Sequence, residues 1–239
     1  NGERLLADPT IALNALTQQQ STFTHHDIAR LVNRQSVDST QFQAVYEAVM
    51  THPELVKLGV DDRGRDRYTT QTMLQLEQEL ATLANKRGAL QQHHVSGAAV
   101  HQAMLSRTLS AEQQQALQHI TQGQDIACVM GMAGTGKSYL LGAAREAWEQ
   151  AGYHVQGMTL SGIAADNLMG SAGIESHTVA NRVLCWANDR ARLTDRDVVV
   201  VDEAGMLGSQ QMVAVLREVD RANAKLVLVG DTEQLQAIA

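Results

Sequence analysis

The apolar positions along this chain keep one rhythm, lose it, and then take up another. "IALNALTQQQ" (11–20), "TFTHHDIARLVNRQ" (22–35) and "STQFQAVYEAVMTH" (39–52) place apolar residues at helical spacing: Ile28, Leu31 and Val32 in the second, Phe42, Val45, Tyr46 and Val49 in the third. Thr24 stands where a helix N-cap belongs. "LVKLGVDDRGRDRYTT" (55–70) instead reads as two short β-prone runs around the turn signal Asp61-Asp62-Arg63-Gly64. A helix resumes in "TQTMLQLEQELATLANKR", with Met73, Leu76, Leu80 and Leu83 on one face. Short helices followed by a hairpin are the order of a winged helix, with Arg63, Arg65 and Arg67 on or beside the wing. A helical packing domain with solvated charges fits the same pattern.

The rest of the chain alternates. "DIACVM" (125–130), "YHVQGMTL" (153–160), "DVVVVDEA" (197–204) and "KLVLVGD" (225–231) are short, β-branched apolar runs separated by helical stretches such as "SYLLGAAREAWEQAG". Near-continuous apolar strands between helices predict a parallel sheet covered on both faces, an α/β fold. The expected organisation is a mainly helical domain over 1–88, a linker over 89–108 rich in small residues, and the α/β domain over 109–239.

Composition narrows the classes. The chain has 239 residues, 44% of them apolar, which suffices for a sizeable core. No apolar run reaches the roughly 18 residues of a membrane span, and the start does not read as a signal peptide. Cys128 and Cys185 are too few and too far apart for a metal site and read as reduced core thiols of a cytoplasmic protein. A net charge of −7 confines any nucleic-acid contact to a local groove. Asn1 in place of a starting Met suggests a piece of a longer protein.

Chemistry concentrates after the first of these strands. Gly131-Met132-Ala133-Gly134-Thr135-Gly136-Lys137-Ser138 satisfies G-x-x-x-x-G-K-[ST] between a strand and a helix. Glycines let backbone N–H groups close on an anion, and the helix N-terminus behind them favours negative charge. The pattern predicts a site for ATP, with Lys137 on the β- and γ-phosphates and the Ser138 hydroxyl on Mg²⁺. Asp202 ends the next valine run and can hold the same Mg²⁺. Glu203 beside it can polarise an attacking water. Asp231 and Gln234, after the last strand, fall at the carboxyl edge where ligands of open α/β sheets bind. Gln234 suits a sensor that touches both γ-phosphate and water.

"GMAGTGKS", "VVDEAGML" and "GDTEQLQAI" together resemble motifs I, II and III of superfamily 1 helicases of the RecD-like, 5′-to-3′ group. "STFTHHDIAR", "LSAEQQQAL", "AGYHVQGMTLSGIAADNL" and "AGIESHTV" are similar to the helicase portion of TraA-type conjugative relaxase-helicases. The resemblance implies a RecA-like ATPase lobe. It implies that Gln113 reads the adenine edge, and that Thr159, Ser161 and Gly162, with His177 and Thr178, hold single-stranded DNA. Many relatives carry a basic residue where this chain has Ile163, so one groove charge is missing.

The implied partners are a second RecA-like lobe, a relaxase domain and the conjugation machinery of a bacterial cytoplasm. Without the second lobe's arginines, which contribute about 10³ to 10⁵ in rate in related enzymes, the piece alone is expected to bind ATP and Mg²⁺ yet hydrolyse slowly and unwind nothing. A nucleotide-gated DNA- or protein-binding module is the alternative; a kinase-like phosphotransferase is disfavoured by Glu203. Trp148 and Trp186 are expected in the core.

Overall fold

The computed structural model describes residues 1–18, 20–132 and 134–231. They divide into two compact units, with the boundary between Glu79 and Leu80.

The first unit holds α1 (Gly2–Ala7), α2 (Thr10–Thr17), a short β1 (Phe23–Thr24), α3 (His25–Gln35), α4 (Ser39–Met50), β2 (Leu55–Val60), β3 (Asp66–Thr70) and the start of α5 (Gln71–Gly88). Thr24 caps α3 in a full capping box: its hydroxyl accepts the Asp27 N–H, and the Asp27 carboxylate accepts the Thr24 N–H at 2.9 Å. Leu13, Phe23, Ile28, Val32, Val45 and Val49 form its core, each 1% exposed or less. β2 and β3 pair antiparallel as the turn signal predicts. β1, which the sequence did not announce, pairs with β3 through Phe23 opposite Tyr68. A two-residue strand is too short to show a period.

The second unit continues through α6 (Gly97–Ser106), α7 (Ala111–Gln122), β4 (Ile126–Met130), α8 (Lys137–Gln150), β5 (His154–Thr159), α9 (Gly162–Ala172), β6 (Glu175–Thr178), α10 (Val179–Ala187), β7 (Asp197–Val201), α11 (Ser209–Ala222) and β8 (Lys225–Gly230). Its five strands run parallel in the order β4-β8-β7-β5-β6. β7 is buried at all five positions. Val198 and Val200 enter one core with α6 to α9, while Val199 and Val201 enter another with α10, α11 and the end of α5. The period-two alternation serves two apolar faces at once, which is why the strand reads as unbroken valine.

Three sequence expectations change here. The boundary falls inside α5, earlier than residue 88. The stretch 89–108 carries α6, whose Val100 and Ala103 are 2% exposed and enter the sheet's core, so it is part of the unit rather than a linker. Cys128 is exposed on the outer strand β4 and Cys185 is half-buried, so neither is a core thiol. The alternation along β4 turns Cys128 and Met130 outward while Ala127 and Val129 turn in. Trp148 and Trp186 are core residues, at 0% and 4% exposure. No helix among the described residues is long and apolar enough to cross a membrane.

Candidate nucleotide site at the carboxyl ends of three strands

The glycine-rich loop turns back on itself directly after β4. Gly131 donates its N–H to the Gly230 carbonyl, tying the loop to the end of β8. Gly134 and Gly136 take left-handed backbones, φ 78° and 79°, a region costly to side chains. Gly136 is the N-cap of α8, and no side chain among the described residues caps it. The first-turn amides of a 14-residue helix are thereby left facing the loop, where orphan N–H groups and the helix dipole favour an anion. Lys137 donates its ammonium to the Gly131 carbonyl and, at 3.0 Å, to that of Met132, so its head lies inside the loop. Ala133 lies outside the described residues.

The acids arrive from the neighbouring strands. Asp202 follows β7, donates its N–H to the Met158 carbonyl and accepts the Glu203 N–H at 2.9 Å. Glu203 has φ 54° and starts a short 3-10 turn, Ala204–Met206. Asp231 follows β8 and is 8% exposed. Because β8 lies between β4 and β7, Asp231 enters between the loop and Asp202. Gly134, Gly136, Lys137, Ser138, Asp202, Glu203, Gly230 and Asp231 line one cleft of about 360 Å³. The structure thus brings together the loop and the carboxylates that the motifs singled out. Gly230 was not foreseen; it enters as the last residue of its strand. Gln234 lies outside the described residues, as does the rest of its motif.

A family model described as an AAA domain matches residues 108–239. The chain belongs to this family. The AAA domain begins just before α7 and takes in the whole parallel sheet, so the fold is of the RecA-like P-loop class. Over its full length the chain is also homologous to TraA proteins. It is 37% identical over 246 residues to the conjugal transfer protein TraA of Rhizobium radiobacter, 37% to a probable TraA of Sinorhizobium fredii, and 40% over 247 residues to TraA of Agrobacterium fabrum. All of this chain is covered in each match, but only 22% of each relative.

Gln113 reaches the loop of the AAA domain from α7. Its Nε2 donates to the Thr135 carbonyl at 3.1 Å, and its Oε1 accepts the Ser110 N–H at 3.0 Å in a second capping box. These two bonds engage one amide N–H and one lone pair of the side chain. The signal for this second duty is legible in Ser110-x-x-Gln113, which matches the capping-box pattern.

The residues set aside for DNA gather at the carboxyl ends of β5 and β6. Thr159 pairs with Thr178, and Met158 with His177. Ser161 caps α9 by accepting the Ala164 N–H, and Thr178 caps α10 by accepting that of Asn181. Gly162, the first residue of α9, is exposed, and His177 is half-buried with its ring 3.4 Å from Glu175. Thr159 is fully buried, and its hydroxyl donates to the Ser161 carbonyl at 2.8 Å. It therefore shapes the turn and offers no hydroxyl to solvent. β6 itself was missed, because "ESHT" is polar and only half-buried at the sheet edge. Ile163, 77% exposed, stands next to these groups as an apolar residue.

Proposed function

We propose that the AAA domain binds ATP with Mg²⁺ in the 360 Å³ cleft and acts, within a longer conjugative relaxase-helicase, as the first motor lobe of a 5′-to-3′ DNA helicase. The observation that carries the reading is the convergence of Lys137, Ser138, Asp202 and Glu203 on one cleft from separate segments. The donor set fits the proposed ligand: uncapped amides and an ammonium for phosphate, and a hydroxyl with a carboxylate, both oxygen donors, for Mg²⁺. When bound, Mg²⁺ would neutralise charge developing on the phosphates.

Lys137 exchanges its loop carbonyls for phosphate oxygens. Ser138 and Asp202, which line the same cleft, would hold the metal. Glu203 accepts a proton from the attacking water, and Asp231, between the loop and Asp202, keeps the intervening space polar. Gln234 is assigned the sensing role by its motif alone. Ser161, Gly162, His177 and Thr178 form the carboxyl-edge shelf on which single-stranded DNA would lie, over the turn that Thr159 shapes. The TraA names support a conjugative setting, with a relaxase domain and transfer machinery as partners.

The test is titration calorimetry with a non-hydrolysable ATP analogue and Mg²⁺. Wild-type chain should bind, and Lys137→Ala should lose binding without losing its fold. Equal affinity in the two would end the reading.

A further inference from the structure

The first unit contains a second concave site, and nothing in the nucleotide chemistry uses it. A cleft of about 850 Å³, more than twice the volume of the nucleotide cleft, lies between the start of α3 and the β2–β3 turn. Arg30, Arg63, Arg65 and Arg67 line it together with His26, and every lining side chain is polar or charged. The concentration stands out against its surroundings. Residues 1–79 hold more Asp and Glu than Lys and Arg, and Arg4, Arg34 and Lys57 are the other lysine and arginine side chains there.

Two of the three acids that line the cleft, Asp27 and Asp61, are already engaged. Asp61 Oδ1 accepts the N–H groups of Arg63 and Arg65, each at 2.9 Å, and its Oδ2 pairs with the Arg65 guanidinium at 2.8 Å. These bonds hold its carboxyl down at about 2. They also lock the turn, whose Gly64 has φ 71°. Asp27 spends its carboxylate on the cap of α3. Asp66, next to the cleft, is paired with Lys57 at 2.8 Å. Arg67 is held in place by donating to the Thr22 hydroxyl at 2.6 Å. What faces solvent is therefore Arg30 and Arg63, both exposed, with the fixed Arg67 behind them, against Asp62. Planar guanidiniums, one on α3 and one on the locked turn, match phosphate oxygens spaced along a strand.

We propose that this cleft holds the phosphate backbone of DNA, with Arg30 and Arg63 as its principal contacts. Among the described residues His26 carries the one ring on a lining otherwise made of charged and non-aromatic polar side chains, so the grip is chiefly on the backbone and largely indifferent to sequence. That the polyanion is DNA rests on the functional reading above; the cleft and its charge do not.

The experiment is fluorescence anisotropy of the full chain with a labelled oligonucleotide, single-stranded and duplex, between about 50 and 200 mM salt. Loss of two phosphate contacts in R30Q/R63Q should weaken binding and flatten the log–log salt slope by about 1.4 on single strands or about 1.8 on duplex. The variant R30K/R63K should keep the slope. Unchanged affinity and slope in R30Q/R63Q, with an unchanged melting temperature, would overturn the proposal. So would an acidic polyglutamate peptide that binds as tightly as DNA with the same dependence on Arg30 and Arg63, because the site would then serve a protein. If ATP fails to bind wild-type chain while the salt slope still depends on Arg30 and Arg63, the motor reading fails and this site stands.

Discussion

The Asp202 carboxylate accepts the backbone N–H of Glu203 at 2.9 Å, and Glu203 takes a left-handed backbone at φ 54°. A non-glycine residue in that region costs about 1 kcal/mol or more. The bend carries the chain out of β7 into the 3-10 turn and leaves the Glu203 side chain on the nucleotide cleft. Glu203→Gly should then equal or exceed wild-type stability in urea denaturation, by up to about 1 kcal/mol. Glu203→Gln should leave stability unchanged. Both should suppress ATP hydrolysis, followed as phosphate release, in the longer protein proposed above. Wild-type turnover in the glutamine variant would remove Glu203 from the chemistry.

Gly134 and Gly136 share a left-handed backbone, but their surroundings differ. A Cβ on Gly134 would meet nothing within 4 Å; one on Gly136 would meet Gln113 Nε2 at 2.5 Å. Gly134→Ala should cost only the backbone strain, about 1 kcal/mol. Gly136→Ala should cost the same and also displace the Gln113–Thr135 hydrogen bond, worth about another 1 kcal/mol. In the Gln113→Ala background the two substitutions should become equal in thermal denaturation. A persistent gap would show that Gln113 is not what crowds Gly136.

Ser161 and Thr178 cap helices on the edge proposed for DNA, so alanine there would confuse two effects. Aspartate separates them, since it caps as well as serine does and repels phosphate. Ser161→Asp and Thr178→Asp should melt within a few degrees of wild type and bind single-stranded DNA more weakly, measured at low salt. Full DNA affinity in both would place the strand elsewhere.

Lys225 opens β8 and is fully buried, donating to the Gln124 carbonyl beside the buried pair Arg87–Asp125. Desolvation pushes its ammonium down to about 8, although Asp125 opposes the shift. A lysine depressed in the folded state is charged more readily in the unfolded chain. Its penalty is present in full below pH 8 and is relieved as pH rises from 8 toward the ordinary lysine value near 10.4. Lys225→Met should therefore exceed wild type in urea stability most at pH 7, and the difference should shrink by pH 10. A difference independent of pH would show that Lys225 titrates as an ordinary lysine.

Several features were legible because they are local. Thr24 with Asp27 announces a helix start, and Asp61 to Gly64 announces a turn. The valines before Asp202 announce a strand with both faces covered, and the spacing of Gly131, Gly136 and Lys137 announces an anion loop. Each depends on the conformational limits of a few consecutive residues, which the letters carry with them. Other features escaped for the same reason. Val100 and Ala103 looked like linker because small residues show little periodicity until a helix packs on them. β6 is polar because it lies at the sheet edge. Cys128 is exposed only because β4 is an outer strand of the described sheet.

What the letters alone determined, then, is the kind of element at each stretch and the chemistry at its ends. Which strands lie side by side was left to the tertiary structure. A valine run reads the same in any position of a parallel sheet, since only the cores above and below select its neighbours. That selection inserted β8 between β4 and β7, set Asp231 between Lys137 and Asp202, and turned separate motifs into one cleft.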